Sequence, residues 1–278
     1  MYVRPATLDD ALATLARPGH RVLAGGTDVF PAQGDRAVTS TFVDLSRLAE
    51  LKGIAVGEHE VRIGGAVTWS ELLRAELPRA FDGLKAAARE VGSIQIQNAG
   101  TIAGNLCNAS PAADGVPPLL ALDAAIEIAA PSRQPRRLPL THFITGYRQT
   151  ALAPGEIVTA VIVPRTIEGP SCFIKLGTRR YLVISIAMVA AILESDADGR
   201  VARARLAIGA CSPVAQRQPE AEAALIGRAC APGLSDAITR AQLTNLAPID
   251  DSRATAAYRR EAALELAKRA IETLAGGR

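Results

Sequence analysis

The stretch Gly92 to Asp114 reads G-S-I-Q-I-Q-N-A-G-T-I-A-G-N-L-C-N-A-S-P-A-A-D. It holds three glycines, three asparagines, two serines and a threonine, and neither lysine nor arginine. A segment so rich in small, hydrogen-bonding residues buries little apolar area and recovers little of its ordering entropy unless something polar binds it. It is therefore expected to be a binding loop. Gly100 and Gly104 let backbone approach a ligand closely or take positive φ, while Thr101, Asn105 and Asn108 supply side-chain hydrogen-bonding groups.

A second glycine turn lies upstream, at Val22-Leu23-Ala24-Gly25-Gly26-Thr27-Asp28-Val29. An apolar run enters a double glycine and is followed by Thr and Asp, both able to cap a helix. Such a turn presents several backbone N–H groups on one side, as phosphate-binding turns do. Neither segment fits the familiar nucleotide patterns, because no G-x-G-x-x-G follows a strand and no G-x-x-x-x-G-K-[ST] occurs. A dinucleotide bound here is held outside a Rossmann or P-loop frame.

At 278 residues the chain has room for two domains or one large one. Hydrophobic residues make up 49% and aromatics only 4%, so the core is aliphatic. The net charge of +3 is small and scattered, which argues against nucleic acid. The nearest basic cluster, Arg133 to Arg137, sits among prolines and reads as a solvated turn. Cys107, Cys172, Cys211 and Cys230 form no C-x-x-C pair, and are expected to be buried or partly buried free thiols rather than zinc or cluster ligands. His20, His59 and His142 are isolated, and no G-x-S-x-G motif is present, so metal-hydrolase and triad chemistry are not expected. Met1 to Asp10 lacks a signal pattern, and the longest apolar run, Ile184 to Leu193, is too short to span a bilayer; a cytoplasmic location is expected.

In chain order, Thr7-Leu8-Asp9-Asp10 opens a helix that runs to Pro18-Gly19, and Arg21 to Ala24 is a strand leading into the glycine turn. Short strands follow at Thr41 to Leu45, Ile54 to Val56 and Glu60 to Gly64. A first β-α-β lobe is expected to end near residue 56. Thr68-Trp69-Ser70-Glu71 is a second capping box, and Arg79 to Val91 reads as a helix leading into the Gly92 to Asp114 loop. Pro117 to Leu122 is a short apolar turn or helix, and Ala125 to Ala129 and Ile157 to Val163 are strands, giving a second lobe over about 57–166. After a linker at Pro164 to Pro170, strands at Cys172 to Leu176, Ile184 to Leu193 and Val201 to Ile208 precede helices near Ala221 to Leu225, Ser235 to Leu243 and Ala254 to Leu274. Strands followed by helices suggest a separate α+β domain.

The motif A-G-G-T-D at Ala24 to Asp28, together with V-G-S-x-Q-I-x-N-x-G-T-I-x-G-N-L-x-N-A-S-P-A-A-D from Val91 to Asp114, resembles the FAD-binding medium subunit of molybdenum hydroxylases, the xanthine dehydrogenase and carbon monoxide dehydrogenase family. The resemblance continues through Glu156-Ile157-Val158 and Phe173-Ile174-Lys175-Leu176. Ala103 departs from it, since many relatives carry a second glycine there. It implies an α+β chain: a two-lobed FAD-binding domain of the PCMH (vanillyl-alcohol-oxidase-like) type over 1–166, then a smaller domain with an antiparallel sheet and helices over 171–278. It also implies that Leu23, Ala24, Gly25, Gly26, Thr27, Asp28 and Val29 bind FAD with Thr101, Ile102, Ala103, Gly104 and Asn105, gripping its pyrophosphate and ribityl portions. Asp114 matches an acidic residue that bonds the nucleotide part, Val158 adds to the site, Lys175 matches a lysine near the flavin, and Tyr181 shields the ring.

The same resemblance implies a large partner subunit with a molybdenum cofactor and a small one with two [2Fe-2S] clusters, as a heterotrimer or a dimer of heterotrimers. In it the flavin passes electrons to an external acceptor such as NAD, a quinone, a cytochrome or oxygen. Two other readings stay open on the residues alone. A self-sufficient flavoenzyme needs an acid–base residue over the flavin, and a cofactor-free scaffold subunit needs no intact glycines. Because a cluster wants four cysteines brought together and these four are scattered, the chain expressed alone is expected to show no cluster absorbance and no acid-labile sulfide.

Overall fold

The double-glycine turn sits at the edge of a small parallel sheet. In a computed structural model, which describes residues 1–35 and 37–276, β1 (Tyr2–Val3), α1 (Leu8–Leu15), β2 (His20–Leu23), α2 (Val29–Gln33) and β3 (Thr41–Asp44) form the first unit. The sheet order is β1-β3-β2, and both pairings are parallel. Thr7 caps α1 by accepting from Asp10 N–H at 3.1 Å, and Ala11, Leu12 and Leu15 face inward, as their helical spacing requires.

The next strands, β4 (Ile54–Val56) and β5 (Glu60–Gly64), pair with each other. Ile54 to Val56 therefore begins the second sheet rather than closing the first lobe. The capping box is complete at α3 (Trp69–Arg74): Thr68 accepts from Glu71 N–H, and the Glu71 carboxylate accepts from Thr68 N–H at 2.7 Å. The expected helix after Pro78 divides into a 3₁₀ turn at Arg79–Phe81 and α4 (Asp82–Glu90).

The expected binding loop is largely helical, as α5 (Ile94–Ala99) and α6 (Ile102–Asn108). Ser93 and Thr101 cap their first turns, which is why a glycine- and asparagine-rich stretch can be ordered with so little core of its own. Then follow α7 (Val116–Ala121), β6 (Ala125–Ala129), β7 (Arg136–Pro139), α8 (Leu140–Phe143), β8 (Ile144–Gly146), β9 (Gln149–Thr150) and β10 (Ile157–Pro164). The five-stranded order is β4-β5-β10-β6-β7. β7 corrects the reading of Arg133 to Arg137 as a turn: Arg136 and Arg137 lie on an edge strand and pair with Glu156 and Glu60 at 2.8 Å.

The chain ends with β11 (Ser171–Leu176), β12 (Ala187–Ser195), β13 (Val201–Gly209), β14 (Gln216–Arg217), α9 (Pro219–Leu225) and α10 (Ala256–Ala275). These four strands form an antiparallel sheet in sequence order. β12 begins at Ala187, three residues later than its apolar run suggests, because Ile184 is exposed in the loop before it. Its unbroken apolar sequence has a geometric cause. Ala187, Val189, Ala191 and Leu193 face α9 and α10, while Ala190 and Ile192 join the core of the preceding domain. Ser235 to Leu243, expected as a helix, is two 3₁₀ turns, Leu234–Ala237 and Arg240–Gln242.

Polar anchors reinforce the packing of the two halves. Buried Arg259 on α10 donates to the carbonyls of Ile186 and Ala210 and to Asp251 at 2.7 Å. Burial pushes the Asp251 carboxyl up, but hydrogen bonds from Arg253 N–H and the Arg259 guanidinium outweigh it and hold the group well below the usual range. Between the halves, Lys175 on β11 reaches Asp114 at 2.9 Å, and both side chains are nearly inaccessible. Burial pushes Asp114 up to about 6, against the opposing pull of Lys175. A carboxyl whose folded value lies above its unfolded one adds stability below about pH 4 that is lost as pH rises through about 6. The wild type is therefore expected to lose stability relative to Asp114→Asn between pH 4 and 7 in urea titrations, whereas a constant or growing lead would contradict the shift.

Candidate functional site

A cleft of about 530 Å³ opens between the Ala24–Val29 turn and the α5–α6 joint, within the size range of small-molecule sites. β2 ends at the buried Leu23, and the chain turns through Gly26 at φ +71°, a left-handed conformation that glycine adopts freely. Gly25 is a different case. A Cβ there would lie 1.9 Å from the Ala99 carbonyl oxygen and 2.9 Å from Gly100 Cα, so backbone meets backbone with no room for a side chain. Among the described residues, nothing accepts a hydrogen bond from the N–H groups of Gly25, Gly26 or Thr27. Three adjacent free donors beside a cleft form an anion cradle.

The opposite wall is the first turn of α6. Thr101 Oγ1 accepts from Gly104 N–H at 3.0 Å, and a Cβ on Gly104 would approach that hydroxyl to 2.8 Å. This wall is fixed from behind: Trp69 N–H donates to the Gly100 carbonyl at 3.2 Å and Ile102 N–H to the Val67 carbonyl at 3.0 Å. Asn105 Oδ1 is buried without a partner, an orphaned acceptor on a cleft-lining residue. The floor is Gly65, Ala66, Ile157 and Val158, with Gly65 N–H donating to the Thr159 carbonyl at 2.8 Å.

Among the described residues, charge enters as a balanced set. Arg21 and Arg148 line the cleft with Asp28 and Glu156, and no lysine does. Arg148 donates to Asn108 Oδ1, and Arg136 holds Glu156 and keeps its carboxyl below the usual range. An unpaired N–H cradle, a helix start opposite it and an orphaned amide acceptor fit a phosphorylated, hydrogen-bonding cofactor better than a metal ion. Among the described residues no group of His, Cys, Asp and Glu is placed to hold a metal, and no helix is long and apolar enough to cross a membrane.

Of the residues singled out from sequence, Ala24, Gly25, Gly26, Thr27, Asp28, Val29, Thr101, Ala103, Gly104, Asn105 and Val158 all line the cleft. Leu23 and Ile102 are buried behind its walls. Asp114, Lys175 and Tyr181 lie outside the lining. Asp114 also accepts from Ser185 Oγ at 3.2 Å, and Tyr181 is 62% exposed beneath the Arg180 guanidinium. Sequence reasoning missed Trp69, Ile96, Arg148 and Cys107. Trp69 had a usable signal, since it follows the Thr68 cap, and so did Gly64-Gly65, a further double glycine at a strand end. Cys107, expected to be at least partly buried, is exposed on the cleft side.

The profile for the FAD binding domain in molybdopterin dehydrogenase matches residues 1–166, and that for the CO dehydrogenase flavoprotein C-terminal domain matches 173–274. The chain is 34% identical to the xanthine dehydrogenase FAD-binding subunit of Escherichia coli O157:H7, over 100% of this chain and 97% of that one. It is 31% identical to the nicotine 6-hydroxylase medium subunit of Paenarthrobacter nicotinovorans, over 97% and 95% of the two chains. Among solved structures, a chain of the Cu,Mo-CO dehydrogenase in its cyanide-inactivated form superposes with TM-score 0.91 at 28% identity, covering 99% of this chain and 96% of that one. Quinoline 2-oxidoreductase from Pseudomonas putida 86 gives 0.89 at 27%, with the same coverage. With both halves matched and the relatives aligned almost end to end, the chain belongs to the family of FAD-binding medium subunits of molybdenum hydroxylases.

Proposed function

We propose that this chain is the electron-transfer flavoprotein subunit of a multi-subunit molybdenum hydroxylase, and that the cleft between the glycine turn and α6 is where it holds FAD. The observation that carries the reading is the glycine turn: among the described residues nothing accepts from the N–H groups of Gly25, Gly26 and Thr27, and all three residues line a cleft whose other wall is the capped start of α6. A diphosphate carries negative charge that such groups match without a lysine. Asn105 lines the same wall as Thr101 and Gly104. Bound FAD supplies two-electron storage with one-electron exchange, so the protein needs only to bind, orient and shield it.

The assignment gives this chain no catalytic acid or base. Gly65, Ala66, Ile157 and Val158 provide a floor without charged side chains, and Trp69 holds the α5–α6 joint in place through its main chain. Asp114, Lys175 and Tyr181 remain proposed flavin-side residues, placed at the junction with the C-terminal half. In the proposed complex a small subunit with two [2Fe-2S] clusters delivers single electrons and a large molybdenum-cofactor subunit oxidises the substrate. FAD bound here would supply the junction from which electrons leave for an external acceptor. A cytoplasmic heterotrimer, or a dimer of heterotrimers, is the proposed assembly.

Gly104→Val is expected to lower the flavin-to-protein ratio at least tenfold while leaving the far-ultraviolet circular dichroism unchanged. The added side chain displaces the Thr101 cap hydroxyl and enters the cleft wall, away from the main cores; stoichiometric flavin in that variant would remove the site from this cleft. The chain alone is expected to carry FAD yet oxidise no heterocycle or aldehyde, with substrate-dependent bleaching of flavin absorbance appearing only when both partner subunits are added. Turnover by the isolated chain would replace the relay with a self-sufficient flavoenzyme.

A further inference from the structure

Arg148 lines the cleft from a backbone conformation that arginine rarely adopts. β8 and β9 pair with Gly146 opposite Gln149, which leaves Tyr147 and Arg148 as a two-residue hairpin loop. Arg148 takes φ +53° there, a left-handed position that such loops ordinarily fill with glycine or asparagine. Keeping a long charged side chain at that position costs conformational energy, and strained backbone of this kind gathers at functional sites. The loop is docked on its neighbour: Arg148 N–H donates to the carbonyl of Ala109, just past the end of α6, at 3.0 Å.

The side chain carries a charge that the protein leaves unmatched. Its guanidinium donates to Asn108 Oδ1, a neutral amide on the last residue of α6, and no carboxylate pairs with it among the described residues. Glu156, which lines the same cleft, is held by Arg136 through two bonds of 3.2 and 2.8 Å. Closing the end of α6 does not require the guanidinium, since the main chain of Arg148 already binds the Ala109 carbonyl. Nor is it placed for a diphosphate at the glycine turn, which stands across the cleft from the first turn of α6. That helix has seven residues, about 10 Å at about 1.5 Å each, so Arg148 is tethered roughly one helix length away. From Asn108 the chain runs on to Asp114, one of the proposed flavin-side residues.

We propose that Arg148 is the counter-charge for the reduced flavin ring and raises the reduction potential of this subunit. The inference rests on the placement of FAD in this cleft. The diphosphate is anionic in both redox states, and main-chain N–H groups suffice for it. The isoalloxazine ring is neutral when oxidised; two electrons, from the proposed cluster subunit, and one proton from solvent leave it with one negative charge. A guanidinium is cationic throughout the physiological range, so beside the ring it binds the reduced form more tightly than the oxidised one. Differential affinity for two states shifts the equilibrium between them, and charge near the ring tunes flavin electronics.

The test is spectroscopic reduction of the full chain with bound FAD, using dithionite against an indicator dye, with the Kd of oxidised FAD read separately by flavin fluorescence. Arg148→Gly suits the left-handed backbone and removes the charge, so its Tm is expected to match or exceed the parent's. It is expected to hold oxidised FAD within about threefold of the parent and reduced FAD about tenfold more weakly, a fall of about 30 mV for a two-electron couple. Arg148→Asn, the other residue that tolerates this backbone, repeats the neutral test. Arg148→Lys keeps the charge and is expected to stay closer to the parent's potential than to the glycine variant's. An unaltered potential in the neutral variants, equal weakening of both redox forms, or a lysine variant as low as the glycine one would each overturn the proposal. A parent chain that holds no FAD would overturn the flavin assignment and this inference with it, whereas an FAD-loaded parent with unaltered variants removes only the role of Arg148.

Discussion

The architecture depends on one contact between two pieces of backbone, Gly25 against Ala99 and Gly100. At the 1.9 Å separation that a Cβ would have from the Ala99 oxygen, no residue but glycine leaves the two chains where they are. That approach brings the small parallel sheet against the α5–α6 joint and sets the width of the cleft between them. The joint is itself held from behind by the main chain of Val67 and Trp69, so the contact transmits its geometry into the five-stranded sheet. Trp69 and Ile102 are wholly buried there, which makes the far wall rigid although it is built from a segment with few apolar side chains.

The two halves of the chain share a core as well as a border. β12 is buried on both faces, one against α9 and α10 and the other against the second lobe around α4 and α7. The Asp114–Lys175 pair, with Ser185, adds a polar contact between the end of the α6 segment and the base of the Gly177–Ile184 loop. A buried pair of this kind brings little net stability, because the desolvation of both charges offsets their attraction.

Much of this was legible in the residues because local rules and global fold agree. The capping box at Thr68 is complete, while at Thr7 only the N-cap half forms, Thr7 accepting from Asp10 N–H; the continuous apolar runs of β10 and β12 are strands buried on both sides. The ordered motif from Val91 to Asp114 located one wall of the cleft. What the residues did not reveal was mostly tertiary. Composition alone made that motif a loop, since capping by Ser93 and Thr101 adds order that no periodicity reports. Arg136 and Arg137 lie on a strand because β7 pairs with β6, which sets them opposite Ile128 and Glu127, a pairing that the local composition does not report. Asp114 and Lys175, some sixty residues apart, meet only because the C-terminal sheet packs its β11 against α4 and its β12 against α7, a juxtaposition that no spacing within either motif encodes.

The free N–H groups of Gly25, Gly26 and Thr27 have a consequence for how such a site evolves. Amides of the main chain have no ionisation in the physiological range, so an anion held by them feels no titration in its own binding groups, unlike one held by histidine. Nor can a point substitution delete them, apart from one to proline. The cradle is inherited as a conformation rather than as a set of side chains. Selection can therefore adjust its grip only through the residues that keep the turn closed, which ties ligand affinity to glycine retention and leaves the rest of the sequence free to drift.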